Sequence, residues 1–226
     1  MPLLGKAAML LSFDIAQDAV DEHDDWHTHE HLPERLSIPG FLRGTRWAAL
    51  RGRPGYLVLY EVADLATLAS SAYLERLNNP TPWTRKMMPH YRAMARGLCS
   101  VAGSFGLGSG HFGLLARFRP VAGAGPRLRE WLMQEVLPKL PARPGLGSVH
   151  LLIGAAAPQM TNEQRIRGAD AKVDWALLAT GYREGAVAAL TETDLAASRL
   201  QDHGAEAVLG ALYRCDYTLG EREVGA

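Results

Sequence analysis

Read for alternation and periodicity, the chain runs through the same order of elements twice. Apolar, aromatic-rich runs that read as strands (Ala8–Ile15; His111–Arg119) each lead into a helical pattern (about 21–36; about 126–140) followed by Pro-Gly punctuation. Second strands are predicted at Phe41–Leu50 and Leu146–Gly154, and third strands at Tyr56–Val62 and Val173–Thr180. Alanine- and leucine-rich helical stretches come next, Leu65–Leu77 continuing to about Met94 and Val187–Leu200, before closing strands at Leu98–Phe105 and Leu212–Leu219. The order β-α-β-β-α-β is a split ferredoxin-like unit, an antiparallel sheet with both helices on one face. Two such units packed sheet to sheet hide both bare faces, so the predicted class is α+β, an α+β barrel closed within one chain. The first repeat is expected at 1–108 and the second at 109–226, with the glycine-rich stretch Gly106–Gly110 at the boundary.

The repeat is visible in the residues themselves. Trp26-His-Thr-His-Glu30-His-Leu32-Pro33, with Pro39-Gly40 beyond it, returns as Trp131-Leu-Met-Gln-Glu135-Val-Leu137-Pro138 with Pro144-Gly145, every match displaced by 105 positions. Six identities in register over 15 residues read as two copies of one supersecondary unit. In the second copy Leu128, Trp131, Leu132 and Val136 form one apolar helical stripe. The corresponding residues of the first are His23, Trp26, His27 and His31. Three core-facing positions are therefore imidazoles, which lose water on burial and must regain hydrogen bonds or cost on the order of 1–3 kcal/mol each. A pocket lined by them is the expectation. His29 falls off the stripe and is expected to face solvent.

His27 and His31 lie four residues apart on one helix face, which suits an acid–base pair or two ligands of one metal. They are the candidate catalytic residues. His23, Trp26, Arg35 and Trp83 are the candidate substrate-binding residues, and a metal is left open. Imidazoles at 23 and 31 stand about 12 Å apart along the axis, too far for one ion to take all three. The zinc-protease pattern is rejected, because no glutamate directly follows His27. Glu30 reads as a structural carboxylate shared with Glu135, Pro33 as architectural, and Asp21, Glu22, Asp24 and Asp25 as partners of the helix dipole. The first copy holds about 11 additional residues before its last strand, including Asn78–His90, a composition suited to a lid or an interface. Extra residues of the second copy, among them Gln159–Arg167, read as an exposed loop, and Gly103–Gly108 as linker.

Composition narrows the function. Lysine plus arginine and aspartate plus glutamate balance at 24 each, which removes the field that nucleic acid or an anionic membrane would need. Apolar runs fall short of the ~20 residues needed to span a bilayer. Ala7–Phe13 is the one leader-like run and lacks a cleavage site, so a cytoplasmic protein is expected. Cys99 and Cys215, two in all, read as buried thiols.

The tandem layout and the Trp26–Arg35 segment resemble the dimeric α+β barrel superfamily, which includes antibiotic-biosynthesis monooxygenases, muconolactone isomerase, the ethyl tert-butyl ether degradation proteins and stress-responsive barrel proteins. The resemblance implies an enzyme that takes a small, partly apolar ligand between helix and sheet of the first repeat and performs cofactor-free oxidation, isomerisation or lactone-type chemistry. Chlorite-dismutase-like and aldoxime-dehydratase-like haem proteins share the layout, so a metal or haem on a histidine is the alternative. A non-catalytic small-molecule-binding barrel is the third reading. Many members associate further, which makes a homodimer an expected partner.

Overall fold

The computed structural model describes residues 3–51, 53–156 and 160–224. The strands are β1 (Ala7–Ile15), β2 (Phe41–Ala49), β3 (Tyr56–Val62), β4 (Tyr91–Gly106), β5 (Phe112–Pro120), β6 (Leu146–Gly154), β7 (Ala171–Lys172), β8 (Trp175–Gly181) and β9 (Ala205–Gly220). They follow one another in space as β1-β3-β2-β9-β5-β8-β6-β4, and β4 closes the ring on β1. This is an eight-stranded antiparallel barrel, with β7 added in parallel outside β4.

Closure rests on the two 16-residue strands. β4 pairs with β1 of its own half through residues 91–100 and with β6 of the other half through 99–106. β9 does the same with β5 and then β2. The faces left bare by each ferredoxin-like half therefore become the inside of one continuous sheet. Along β1, Met9, Leu11 and Phe13 pack toward the helices while Ala8 and Leu10 point into the barrel, the two-residue alternation of a strand. Three apolar clusters result, one under the helices of each half and one inside the barrel.

Both long helices carry the same irregularity. The first runs Val20–Trp26, a π turn His27–His31, then Leu32–Leu36; the second runs Gly125–Trp131, a π turn Leu132–Val136, then a 3-10 turn Leu137–Lys139. Leu32 N–H donates to the His27 carbonyl and Leu137 N–H to that of Leu132, five residues back in each case. The next residue is proline in both, Pro33 and Pro138. Lacking an N–H and crowding the carbonyl four residues before it, proline is accommodated by the widened turn.

Several expectations change. The stretch after Leu77 does not stay helical to Met94: Pro80, Pro82 and Pro89 break it into Ser71–Asn78, Pro82–Met87 and Met88–His90, and β4 begins at Tyr91. β4 ends at Gly106 and corresponds to β9 ending at Gly220, so the first half is longer by five residues before its last strand (63–90 against 182–204), not 11. Gly103–Gly106 is strand rather than linker, since Ser104 and Phe105 pair with His150 and Val149 of β6. A Cβ at Gly103 would stand 2.4 Å from the Met133 sulfur, so any larger residue there would displace the methionine side chain. Cys99 is buried, as expected, whereas Cys215 is only half-buried.

Candidate functional site

The histidine stripe faces inward. Relative exposure is 0% for His23, 0% for Trp26, 1% for His27 and 7% for His31, while His29 is exposed. Their counterparts Leu128, Trp131, Leu132 and Val136 are buried alike. Consecutive imidazole centroids are 5.5 Å apart from His23 to His27 and again from His27 to His31, and the Trp26 ring lies 4.4 Å from His31.

The three rings differ in their partners. His23 is tied at both nitrogens: Nδ1 lies 3.0 Å from Asp24 Oδ1 and Nε2 lies 3.2 Å from the Tyr91 hydroxyl. The carboxylate can only accept, so the proton sits on Nδ1 and Nε2 receives the tyrosine hydroxyl. His27 Nε2 stands 3.5 Å from the Tyr60 hydroxyl, and Nδ1 of both His27 and His31 has no hydrogen-bond partner among the described residues. Burial, reinforced by neighbouring positive groups, holds His27 and His31 well below the usual histidine range, and burial lowers His23 despite Asp24. At neutral pH these imidazoles carry no charge. Burial pushes the Tyr60 and Tyr91 phenols upward, so both remain protonated donors.

Arg35 lies beside this row, 1% exposed, paired with Glu34 at 3.1 Å and more closely with Glu163. Burial opposes its charge, but Glu163 and neighbouring groups outweigh that and keep the guanidinium firmly cationic. Its counterpart in the second half is Leu140, also buried. A cavity of about 30 Å³, room for about one water, remains between His31, Arg35, Tyr73, Arg96, Glu163 and Arg167.

Glu163 comes from a segment that the sequence assigns to an exposed loop. Gln159 lies outside the described residues; Asn162–Arg167 forms a helix whose Thr161 and Glu163 are buried, at 4% and 3% exposure. This cover helix reaches over from the second half. Arg167 stands 5.8 Å above the Tyr91 ring and pairs with Asp170, while Asn162 bonds to Asn78.

Trp83 does not join the histidines. Its indole N–H donates to Glu22 Oε1 at 3.1 Å, and Lys86 bonds to the same carboxylate. Thr81, which caps the helix Pro82–Met87, donates to Glu30 at 2.6 Å, and Glu30 also accepts from Trp26 at 3.1 Å. Glu30 thus clamps residues 81–87 against the histidine helix. Glu135 is exposed with no such bonds, so the expected shared role is held by Glu30 alone. Met87 and Met88 are core residues rather than the face of a lid. The acidic first turn likewise has specific partners: Arg46, 5% exposed, bonds to the Asp24 carbonyl, to Thr28 and to Asp216 of β9.

Tyr60, Tyr91, Arg46 and Glu163 are missed by a reading of the helix alone. Carrying the copy-to-copy comparison onto the strands finds three of them, because they replace Ala179, Ala205 and Leu151. The fixed displacement of 105 hides Tyr60 and Tyr91, since the connectors before β3 and β4 differ in length between halves.

Among the described residues no group of three or more His, Cys, Asp or Glu is arranged to hold a metal ion. A haem does not fit beside His31 as the residues stand, because the about 30 Å³ there is bounded by the Arg35–Glu163 pair and packed rings. No helix among the described residues is long and apolar enough to cross a membrane.

No family model and no curated protein matches the chain. Solved structures do. An anthrone oxidase-like protein superposes with a TM-score of 0.69 at 13% identity, over 100% of this chain and 98% of that one. A protein from Fusobacterium nucleatum, provisionally named a monooxygenase, gives 0.64 at 8% identity over 96% of each chain. A mutant chlorite dismutase from Candidatus Nitrospira defluvii gives 0.57 at 14% identity, over 98% and 96%. At such identities the likeness concerns architecture. The chain has the dimeric α+β barrel fold shared by antibiotic-biosynthesis-monooxygenase-like and chlorite-dismutase-like proteins, with both halves of the barrel in one polypeptide.

Proposed function

We propose that the protein is a small-molecule enzyme that removes a proton from a carbon acid in the helix–sheet space of its first half. That step is common to cofactor-free oxidation, isomerisation and lactone chemistry. The observation that carries the reading is the neutral His27–His31 pair, each with an unpartnered ring nitrogen, beside a buried cation. His31 lines the cavity and is assigned as the base, with His27 behind it backed by Tyr60. Arg35 is assigned to the oxygen of the enolate or phenolate that forms, where a buried guanidinium is worth most. His23 and Trp26 hold the row in place and Trp83 braces the helix, so their part in binding is indirect. Residues 1–108 carry the chemistry and 109–226 complete the barrel and supply the cover helix.

The about 30 Å³ beside His31 holds no organic substrate. Entry therefore requires the cover helix to swing away and Glu163 to release Arg35, which then meets the substrate oxygen. Oxidation is favoured over the other two chemistries by the likeness to an anthrone oxidase-like protein. An enolate formed from anthrone is electron-rich and reacts with dioxygen, giving anthraquinone and water. The test is oxygen uptake and quinone absorbance with anthrone as probe. The wild type should turn it over, and His31→Ala and His27→Ala should lose that turnover while remaining folded; wild-type activity in both variants removes the proposed role.

A further inference from the structure

We propose a second ligand site that shares no residue with the cavity beside His31: a pocket for a short-chain monocarboxylate, held by Arg117 and Tyr213. A cavity of about 110 Å³ opens there between Arg53, Pro54, Leu115, Arg117, Leu209 and Tyr213. At ~30 Å³ per water this is room for roughly four waters, or for a carboxylate with a short alkyl tail.

Two donors in its wall lack partners among the described residues. Tyr213 is 0% exposed, and its hydroxyl has no hydrogen-bond partner among the described residues. Arg117 is half-buried and forms no ion pair among the described residues, and burial lowers its affinity for its proton. A buried unpaired hydroxyl and a desolvated unpaired guanidinium are each costly, and one carboxylate would satisfy both. Asp14, the carboxylate that faces this tyrosine, is already held by the Gly55 N–H at 2.7 Å and by Arg53 at 3.5 Å. The remaining wall of Pro54, Leu115, Leu209 and Ala211 suits an alkyl tail rather than a fully hydrated anion.

The duplication supports a built site. By strand register the counterparts of Arg117 and Tyr213 in the first half are Ser12 and Cys99. There the edge of β4 is covered by β7 and Val173. On the β9 side the connector from β2 to β3 adds no strand among the described residues and contributes Arg53 and Pro54 to the cavity wall, and Leu209 is exposed. Ser12 Oγ is also buried without a partner among the described residues, so the two halves differ in the guanidinium of Arg117 and in the cavity beside it.

Calorimetric titration and thermal melts of the full chain with sodium butyrate, against sodium chloride at equal ionic strength, test the site. Butyrate should bind saturably and raise Tm, Arg117→Gln should weaken binding about tenfold or more, and Tyr213→Phe less. Inorganic phosphate should bind more weakly than butyrate; equal affinity overturns the carboxylate assignment. His31→Val should leave butyrate binding unchanged, and loss of binding in that variant would place the ligand at the other site. No saturable binding, or the same affinity in folded Arg117→Gln and Tyr213→Phe, refutes the proposal.

Discussion

The two halves share an element order, a π turn in the first helix and the burial of its inward stripe, yet one stripe reads His-Trp-His-His and the other Leu-Trp-Leu-Val. The second half shows what the fold requires: apolar bulk against the sheet. The first shows what else it will tolerate. Each departure from the apolar solution is matched by another nearby, Tyr60 and Tyr91 standing in for alanines and Arg35 for Leu140. Matching is incomplete at His27 and His31, whose free Nδ1 atoms are a stability cost that packing does not explain. A stripe that costs stability in one copy and not in its twin points to use.

Replacing first-half residues by their twins is the most direct way to break this comparison. His31→Val should lower turnover of anthrone by about 10²–10⁴, the usual worth of a general base, while far-ultraviolet circular dichroism stays unchanged. A fully active variant would reduce the row to an accident of packing.

Glu163→Gln comes next in size. It leaves the buried Arg35 with Glu34 only, and loss of one member of a buried pair costs about 3 kcal/mol or more. Urea unfolding at pH 7 measures it. The second-half pair Arg143–Asp194 is a control, since Arg143 is 44% exposed and Arg143→Gln should cost under about 1 kcal/mol. Similar losses for both would deny the cover helix any special hold.

Acid sharpens the contrast further. His27 and His31 bind protons less readily folded than unfolded, so below the unfolded value of about 6.5 the unfolded chain takes up more protons. No proton-linked loss therefore applies above that pH, and stability falls as pH drops below it, by up to about 1.4 kcal/mol per pH unit for each histidine. His150 of β6, lowered to about 4 by burial, adds one more such group in the second half. Unfolding free energies at pH 7, 6 and 5 should show a much shallower acid slope in His27→Leu/His31→Val than in the wild type. An unchanged slope would show that the rings are already protonated or exposed.

The smallest effect comes from the reverse graft. Leu132→His places an imidazole where Ala179 offers no hydroxyl, and should destabilise by about 1–3 kcal/mol without creating activity. A neutral outcome would mean that the tyrosine partners of the first half are not what makes its histidines tolerable.

Much of the fold was legible because its signals are local. Alternation and length placed β2, β3 and β6 to within a residue, and Pro-Gly punctuation marked both long helices. After Leu77 the apolar and alanine content outweighs three prolines in the sequence pattern, and the first residues of β4 lie in a bulged, polar-flanked segment that hides the start of the strand. Within the site, the inward histidines were readable by subtraction of one copy from the other. The partner of Arg35 was not.

What the chain determined by itself is the duplicated order of elements and which residues face the sheet, since both follow from spacing along a helix or strand. Tertiary structure alone decided that Glu163, 128 residues from Arg35, seals the histidine row, and that Thr81 reaches Glu30 across 51. Such pairs carry no periodicity, because a buried charge is satisfied by whatever group the closed barrel brings to it. The same closure brings Arg117 and Tyr213 into the wall of one cavity, through strands that meet only when β5 and β9 pair.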